Sequence, residues 1–299
     1  MPFQRHPRVI AVVGPTAAGK SALSLELARE LGGEVVNADS MQLYRGMDIG
    51  TAKLTVAERQ GIPHHVLDIW EVSQPASVAE YQAVARAAVA DIAAQGPVPV
   101  LVGGSGLYVR AVLEEFEFPG TDPSLRTRLE AELSSGAPLY ERLRSLDPVA
   151  AAKILPSNGR RIIRALEVIE MTGRPFTASL PSPVPFYDSV QIAIDRDDLD
   201  ERIAHRVDHM WAAGLLDEVR ALEKRGLRDG RTASRALGYQ QALAHLDGDL
   251  TPAEARAETT RATRRFVRRQ RSWFRRDPRI TWLDGASPTL LADAMAVAG

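Results

Sequence analysis

The residues Gly14-Pro15-Thr16-Ala17-Ala18-Gly19-Lys20-Ser21 form a complete G-x-x-x-x-G-K-S/T run. Its glycines let the backbone wrap until successive N–H groups face phosphate oxygens. The helix that follows adds the positive end of its dipole, Lys20 adds charge, and the Ser21 hydroxyl is of the type that ligates Mg²⁺. A phosphorylated ligand is therefore expected here. The pattern is also a nucleotide-binding and ATP-binding signature, so alone it does not name the ligand. A second candidate is Asp39, just past the apolar stretch Glu34–Ala38. Ligands of open α/β sheets sit beyond the carboxyl ends of strands. A carboxylate placed there can be a metal ligand, a general base or the N-cap of the next turn. A third is the segment from Arg261 to Arg279, with nine arginines and the single acid Asp277. Such a stripe is an electrostatic footprint for a phosphate backbone, and guanidinium planes also stack on bases. Five or six phosphate contacts along it would give a salt slope of roughly −4. Phe266, Trp273 and Phe274 lie within the stripe at helical spacing, which predicts core-facing rather than base-stacking rings.

These groups need a scaffold, and the chain supplies one. Val9–Val13 is a continuous apolar run that reads as a buried parallel strand, and Ser21–Leu31 carries Leu23, Leu27 and Leu31 at helical spacing before Gly32-Gly33. Glu34–Ala38 reads as a second strand, Ala76–Gln95 as an alanine-rich helix, and Val98–Val102 as a third strand. The third strand ends in Gly103-Gly104-Ser105-Gly106 and leads into another helix. Strands alternating with helices imply an α/β class with a parallel sheet. From about residue 115 to 186 the spacing turns helical, broken by prolines and glycines, with a connector at Pro181–Pro185; Val190–Ile194 then returns to strand character. The expected organisation is a P-loop α/β core of residues 1–114 and 187–299 with a helical insertion at 115–186. Glu201–Arg225 reads as one long helix with Ile203, Val207, Met210, Trp211 and Val219 on its apolar face. Arg202 and Arg206, four residues apart, share a face of it.

Composition narrows the classes. The sequence contains no cysteine, which excludes disulfide scaffolds, thiolate metal sites and cysteine nucleophiles, and suits a cytoplasmic location. No apolar stretch is long enough to span a bilayer, and Met1–Arg8 is polar, so neither a membrane protein nor a secretory signal is expected. The net charge of −1 hides the arginine stripe, so it does not exclude a polyanionic partner. His64-His65 lacks matching third and fourth metal ligands and is expected to be structural.

Six segments, in order, carry a resemblance. Asp39-Ser40-Met41-Gln42-Leu43-Tyr44-Arg45-Gly46-Met47-Asp48-Ile49-Gly50-Thr51-Ala52-Lys53 resembles the hallmark stretch of the tRNA dimethylallyltransferases (tRNA isopentenyltransferases). Gly61–Asp68 is similar to that family's I-P-H-H-L-x-D element, Val102–Tyr108 to its V-G-G-T-x-x-Y loop, and Arg161–Val168 to its R-I-x-R-A-L-E-V helix. Gly238-Tyr239-Gln240 and Arg269–Phe274 are similar to its G-Y-[K/R] and R-Q-x-T-W-[F/L] elements. The resemblance implies transfer of a dimethylallyl group from dimethylallyl diphosphate to N6 of the adenine 3′-adjacent to the anticodon, with release of diphosphate.

By the same resemblance Asp39 is the general base, with Ser105 and Arg206 as further catalytic groups. Residues Gly14, Pro15, Thr16, Ala17, Ala18, Gly19, Lys20 and Ser21 hold the diphosphate, and Mg²⁺ is the cofactor, with Ser21 as its protein ligand. The implied contacts to the tRNA anticodon stem-loop are Asp39, Ser40, Met41, Gln42, Ser105, Arg126, Arg160, Arg161, Arg164, Arg235, Gly238, Tyr239, Gln240, Arg268, Arg269, Gln270 and Trp273. Ser105 replaces the commoner threonine, Gln240 a lysine or arginine, and Gly159-Arg160 stands where the family has D-P-Q. A monomer is expected. The competing readings from the residues alone are an ATP-using small-molecule kinase or nucleotidase, and a non-catalytic RNA-binding P-loop protein.

Overall fold

The structure is a computed structural model that describes residues 7–115, 118–176 and 184–299. Its sheet is built from β1 (Arg8–Val13), β2 (Glu34–Asn37), β3 (His64–His65), β4 (Pro99–Val102), β5 (Asp188–Asp195) and β6 (Ile280–Asp284), in spatial order β3-β2-β4-β1-β5-β6. Every adjacent pair is parallel; β1 registers Ile10 on Val100 of β4 and on Val190 of β5. Parallel strands need crossovers, and helices supply them except between β2 and β3, where residues 38–63 form turns and loops.

Alternate residues of the central strands enter opposite apolar layers, which is why β1 is apolar from Val9 to Val13 and β4 throughout. Val9, Ala11 and Val13 face one layer with Tyr81 and Ile92 of α2 (Val78–Gln95) and Val109 of α3 (Gly106–Leu113). Ile10 and Val12 face the other, with Leu23 and Leu27 of α1 (Lys20–Glu30).

The chain divides into two compact units, residues 1–114 with 185–299 and residues 115–184. The second unit is helical: α4 (Pro123–Ser134), α5 (Leu139–Leu146), α6 (Pro148–Ala152) and α7 (Gly159–Thr172) enclose a core of Leu129, Leu143, Ile162 and Leu166. Its C-terminal limit falls two residues before the expected 186, because Pro185 bridges to Glu114 and Phe186 N–H donates to Leu113 O within the first unit. Pro181 and Pro183 of the expected connector, and Met1–His6, lie outside the described residues.

One expectation is corrected. The segment read as a single helix is two, α8 (Leu199–Ala212) and α9 (Leu215–Glu223), because Gly214 takes a left-handed conformation at φ +99°. Apolar periodicity continued across the break, but glycine is the residue for which that conformation costs least. The rest of the first unit is α10 (Tyr239–Leu246), the 23-residue α11 (Pro252–Phe274) and α12 (Leu290–Ala298). Thr251 caps α11 by accepting Glu254 N–H, and Pro252 opens it, so a helix start is written in consecutive residues.

Candidate active site

Three loops meet at the carboxyl edge of the sheet: the phosphate loop after β1, the Ala38–Ser40 turn after β2, and Gly103–Gly106 after β4. Gly14 adopts φ +122°, and a side chain there would press on the Ile194 carbonyl of β5. Ala17 is also at positive φ, 66°, and its carbonyl accepts a 2.8 Å hydrogen bond from Arg202 Nε of α8. Lys20 opens α1 and its Nζ donates to Pro15 O at 2.8 Å. Burial pulls the Lys20 ammonium down to a pKa of about 8; Asp39 opposes that shift and Arg206 adds to it. Burial likewise lowers Arg206, against the attraction of Asp39. Lys20, Asp39 and Arg206, from three distant stretches of chain, therefore share one electrostatic neighbourhood.

Asp39 is held by its own turn. Asn37 Oδ1 accepts Asp39 N–H at 2.9 Å, and Asp39 Oδ1 accepts Met41 N–H at 2.9 Å. Only Oδ1 carries that turn bond, which is the local capping role the position allows. Ser105 Oγ accepts Ser40 N–H at 3.2 Å and lies 3.1 Å from Ser40 Oγ, joining the β4 loop to the β2 turn. Two phenols line the same region: Tyr81 donates to Asn37 O at 2.9 Å, and burial pushes both Tyr81 and Tyr108 up, with the nearby Asp39 charge adding to the shift. Both stay protonated donors. Gln42 Nε2 and Arg206 Nη2 donate to the same carbonyl, Thr51 O, at 3.2 and 3.1 Å. Ser21 lines a small cavity of about 30 Å³ with Asn37 and Gln42.

Among the described residues no group of three or more His, Asp or Glu side chains is arranged for a metal ion. An ion held mainly by the ligand's own phosphate oxygens, the usual habit of Mg²⁺, would need only a hydroxyl such as that of Ser21 from the protein. His64-His65 forms the edge strand β3; His65 Nε2 lies 2.6 Å from Glu34 Oε2, and His64 Nδ1 lies 2.9 Å from Ile62 O.

Several residues expected to face RNA are placed otherwise. Tyr239 is fully buried and its hydroxyl donates to Glu218 at 2.5 Å. Gln270 is buried too, accepting Thr16 N–H at 3.0 Å and donating to Gly104 O at 2.9 Å, so its amide braces the phosphate loop. Trp273 is partly buried against Gly106, where a side chain would overlap its indole. Gly238, also buried, is at φ +87° and its N–H donates to Gln241 Oε1 at 2.9 Å. In the helical unit Arg126 and Arg164 both bind the fully buried Glu167, at 2.7 and 2.8 Å, and together hold its carboxyl below the usual range against the opposing effect of burial. Arg160 and Arg161 are exposed at the start of α7, as are Arg235, Gln240, Arg268 and Arg269 on the first unit; Ser40 and Met41 are half-buried.

The arginine stripe is less free than its composition implied. Arg261 and Arg265 bind Glu258, Arg264 binds Asp200, Arg271 and Arg275 bind Asp195, and Arg279 binds Asp277 and Glu114. Apart from Asp277, the acids come from elsewhere in the chain, which a count inside the segment could not register. Phe274 is buried, as its spacing predicts, and Phe266 is half-buried with Arg269 over its ring at 5.6 Å. A cleft of about 380 Å³ between α10 and α11 is lined by Gln240, Ala244, Glu258, Arg265 and Arg269.

Glu218 went unrecognised in the sequence. A lone glutamate on a helix is ordinarily solvated, and its backbone partners at 48–50 are far away along the chain.

Comparison with known proteins follows the same lines. The family described as IPP transferase matches residues 42–277. The chain is 72% identical over 291 residues to the tRNA dimethylallyltransferase of Salinispora arenicola, covering 96% of this chain and 85% of that protein. It is 68% identical to that of Streptomyces avermitilis, covering 95% and 92%. Among solved structures, the tRNA isopentenylpyrophosphate transferase of Bacillus halodurans superposes with a TM-score of 0.73 at 41% identity, over 98% of this chain and 95% of that one. A eukaryotic dimethylallyltransferase captured acting on tRNA gives 0.82 at 28% identity, over 97% and 78%. With the family match spanning most of its length and its relatives aligned nearly end to end, the chain belongs to the IPP transferase family of tRNA dimethylallyltransferases.

Proposed function

We propose that this protein transfers the dimethylallyl group of dimethylallyl diphosphate to N6 of the adenine 3′-adjacent to the anticodon of tRNA. The N6 lone pair forms the new bond to C1 of the prenyl group, the C1–O bond breaks with its electrons leaving on diphosphate, and the N6 proton passes to the Asp39 carboxylate. The observation that carries this reading is the convergence on the phosphate loop of Lys20, bonded to Pro15 O, and of helix α8, tied to Ala17 O by Arg202 one turn before Arg206, beside Asp39 in the turn after β2. It offers two cations for the departing diphosphate and one carboxylate for the proton, at the edge of a sheet where ligands of this architecture sit. When bound, Mg²⁺ would offset charge on the leaving group. Ser105 and Ser40 would hold the reacting base against Asp39, whose Oδ2 carries no turn bond.

Arg268 and Arg269, exposed on α11 with no acidic partner among the described residues, would meet the RNA backbone of the anticodon stem-loop, and Arg235 and Gln240 would lie beside them. No helix among the described residues is long and apolar enough to cross a membrane, and a cytoplasmic site of action accords with the absence of cysteine.

The test is incubation with radiolabelled dimethylallyl diphosphate, Mg²⁺ and tRNA, followed by nucleoside analysis. Label in N6-dimethylallyl adenosine supports the reading; ATP-dependent phosphorylation in its place overturns it. Asp39→Asn keeps the side-chain oxygen that accepts Met41 N–H and removes the base, so it isolates the chemistry from the turn. It should lower kcat by about 10²-fold or more at unchanged Tm; activity within a few-fold of wild type would move the base elsewhere.

A further inference from the structure

We infer that Glu218 of α9 is a positioning residue for the transfer, acting through the Asp48–Thr51 turn on Arg206 and Gln42; the inference rests on the proposed reaction. The Glu218 carboxylate accepts three successive backbone N–H groups, from Asp48 at 3.1 Å, Ile49 at 2.7 Å and Gly50 at 3.2 Å. It also accepts the Tyr239 hydroxyl at 2.5 Å, so each carboxylate oxygen takes two donors. Consecutive N–H groups converging on one anion make a nest, and hydrogen bonds to a carboxylate are about twice as strong as neutral ones. Tyr239 is buried, and burial together with the Glu218 charge pushes its phenol far up, so it remains a donor. Gly50 is required because a side chain there would overlap the Tyr239 ring.

The turn leaves this clamp at Thr51. Thr51 Oγ1 donates to Met47 O at 2.6 Å, and Lys53, buried beside it, donates to Tyr44 O at 3.0 Å and pairs with Asp48 at 2.7 Å and Asp68 at 2.6 Å. What emerges is a single carbonyl, Thr51 O, accepting from both Arg206 and Gln42. Arg206 lies one helical turn beyond Arg202, whose Nε bonds Ala17 O of the phosphate loop at 2.8 Å, and Gln42 is three residues beyond Asp39. Among the described residues Glu218 bonds to neither, yet the carbonyl that orients both is fixed by the turn it holds. The Gly50, Tyr239 and Glu218 positions thus serve one purpose, although they lie in separate segments.

The test is a double-variant cycle, Glu218→Gln crossed with Arg206→Lys, read by calorimetric binding of Mg²⁺-diphosphate and by Tm, with dimethylallyl transfer by the wild type measured alongside. An amide has one acceptor oxygen and turns its NH₂ toward the other pair of donors, so about two charge-assisted bonds are lost and binding should weaken by about tenfold or more. In the Arg206→Lys background, where the guanidinium is already gone, the same change should weaken binding less than about threefold. Equal effects in the two backgrounds, or a lowered Tm with unchanged binding, overturn the inference. Tyr239→Phe, which removes one of the four donors and keeps the carboxylate, should fall between wild type and Glu218→Gln, and it carries the cycle if the latter does not fold. Failure of wild-type transfer with the cycle intact would reject the reaction and leave the clamp standing.

Discussion

The ion pairs of α11 turn the arginine stripe into a graded set, and the grading has a measurable consequence for RNA binding. Arg268, Arg269 and Arg276 have no carboxylate partner among the described residues, whereas Arg261 and Arg265 share Glu258 at 2.7 and 2.8 Å. Each unpaired arginine that meets a phosphate releases about 0.7 counterions on single-stranded and about 0.9 on duplex RNA-like backbone. The three together supply a slope of about −2 to −3, shallower than the roughly −4 expected of five or six contacts. Replacing Arg268 and Arg269 by alanine removes two contacts and should reduce the slope by about 1.4 to 1.8. Between 50 and 200 mM salt, wild-type affinity should then fall about tenfold further than that of the double variant. Replacing Arg261 and Arg265 removes two cations from a site that Glu258 already half neutralises, so the slope should drop by only about 0.7 to 0.9. The assay is fluorescence anisotropy of a labelled anticodon stem-loop with each double variant at several salt concentrations. Mg²⁺-diphosphate binding should stay unchanged, because exposed charges are screened beyond about 10 Å. An unaltered slope for Arg268 and Arg269, or equal losses for the two pairs, would refute the assignment of RNA contact by ion-pair status.

Two further outcomes follow from the loop chemistry. Because the folded Lys20 pKa lies near 8, below its ordinary 10.5, the unfolded chain binds more protons between those values and this group's contribution to stability rises with pH there. Below pH 8 the full penalty of a buried ammonium applies, so Lys20→Met should raise Tm at pH 7. Wild-type diphosphate affinity should decline above pH 8 as the charge is lost, and calorimetry showing flat affinity to pH 9.5 would reject this. Gln270→Leu strands Thr16 N–H and Gly104 O, each formerly bonded to its amide. It should cost about 1–3 kcal/mol of stability and weaken diphosphate binding more than tRNA binding; denaturant melts and the two titrations check both, and a loss confined to tRNA would make Gln270 an RNA contact after all.

The sequence by itself determined the parts of this protein that contiguous residues build. The phosphate loop was legible because its function resides in backbone N–H groups and a helix start, all within Gly14–Ser21. Asp39 was placed beyond a strand end because β2 is an apolar run with a visible terminus, and the α/β class followed from such runs alternating with helices. Even the six-segment resemblance drew on local strings. The tertiary structure alone decided which polar groups are free to act. Arg271 and Asp195 are 76 residues apart and still bond at 2.7 Å. Tyr239 and Gln270 were implied to contact tRNA, but their partners Glu218, Thr16 and Gly104 approach from other elements and leave them buried. The short edge strand β3, the last strand β6 and helix α12 also escaped the local reading, since an edge strand of two residues and a half-exposed strand carry little periodicity of their own. Periodicity assigns a residue to a face, but the partner it meets there comes from the packing of distant segments, and for charges and amides the partner decides whether the group holds the fold or meets a ligand.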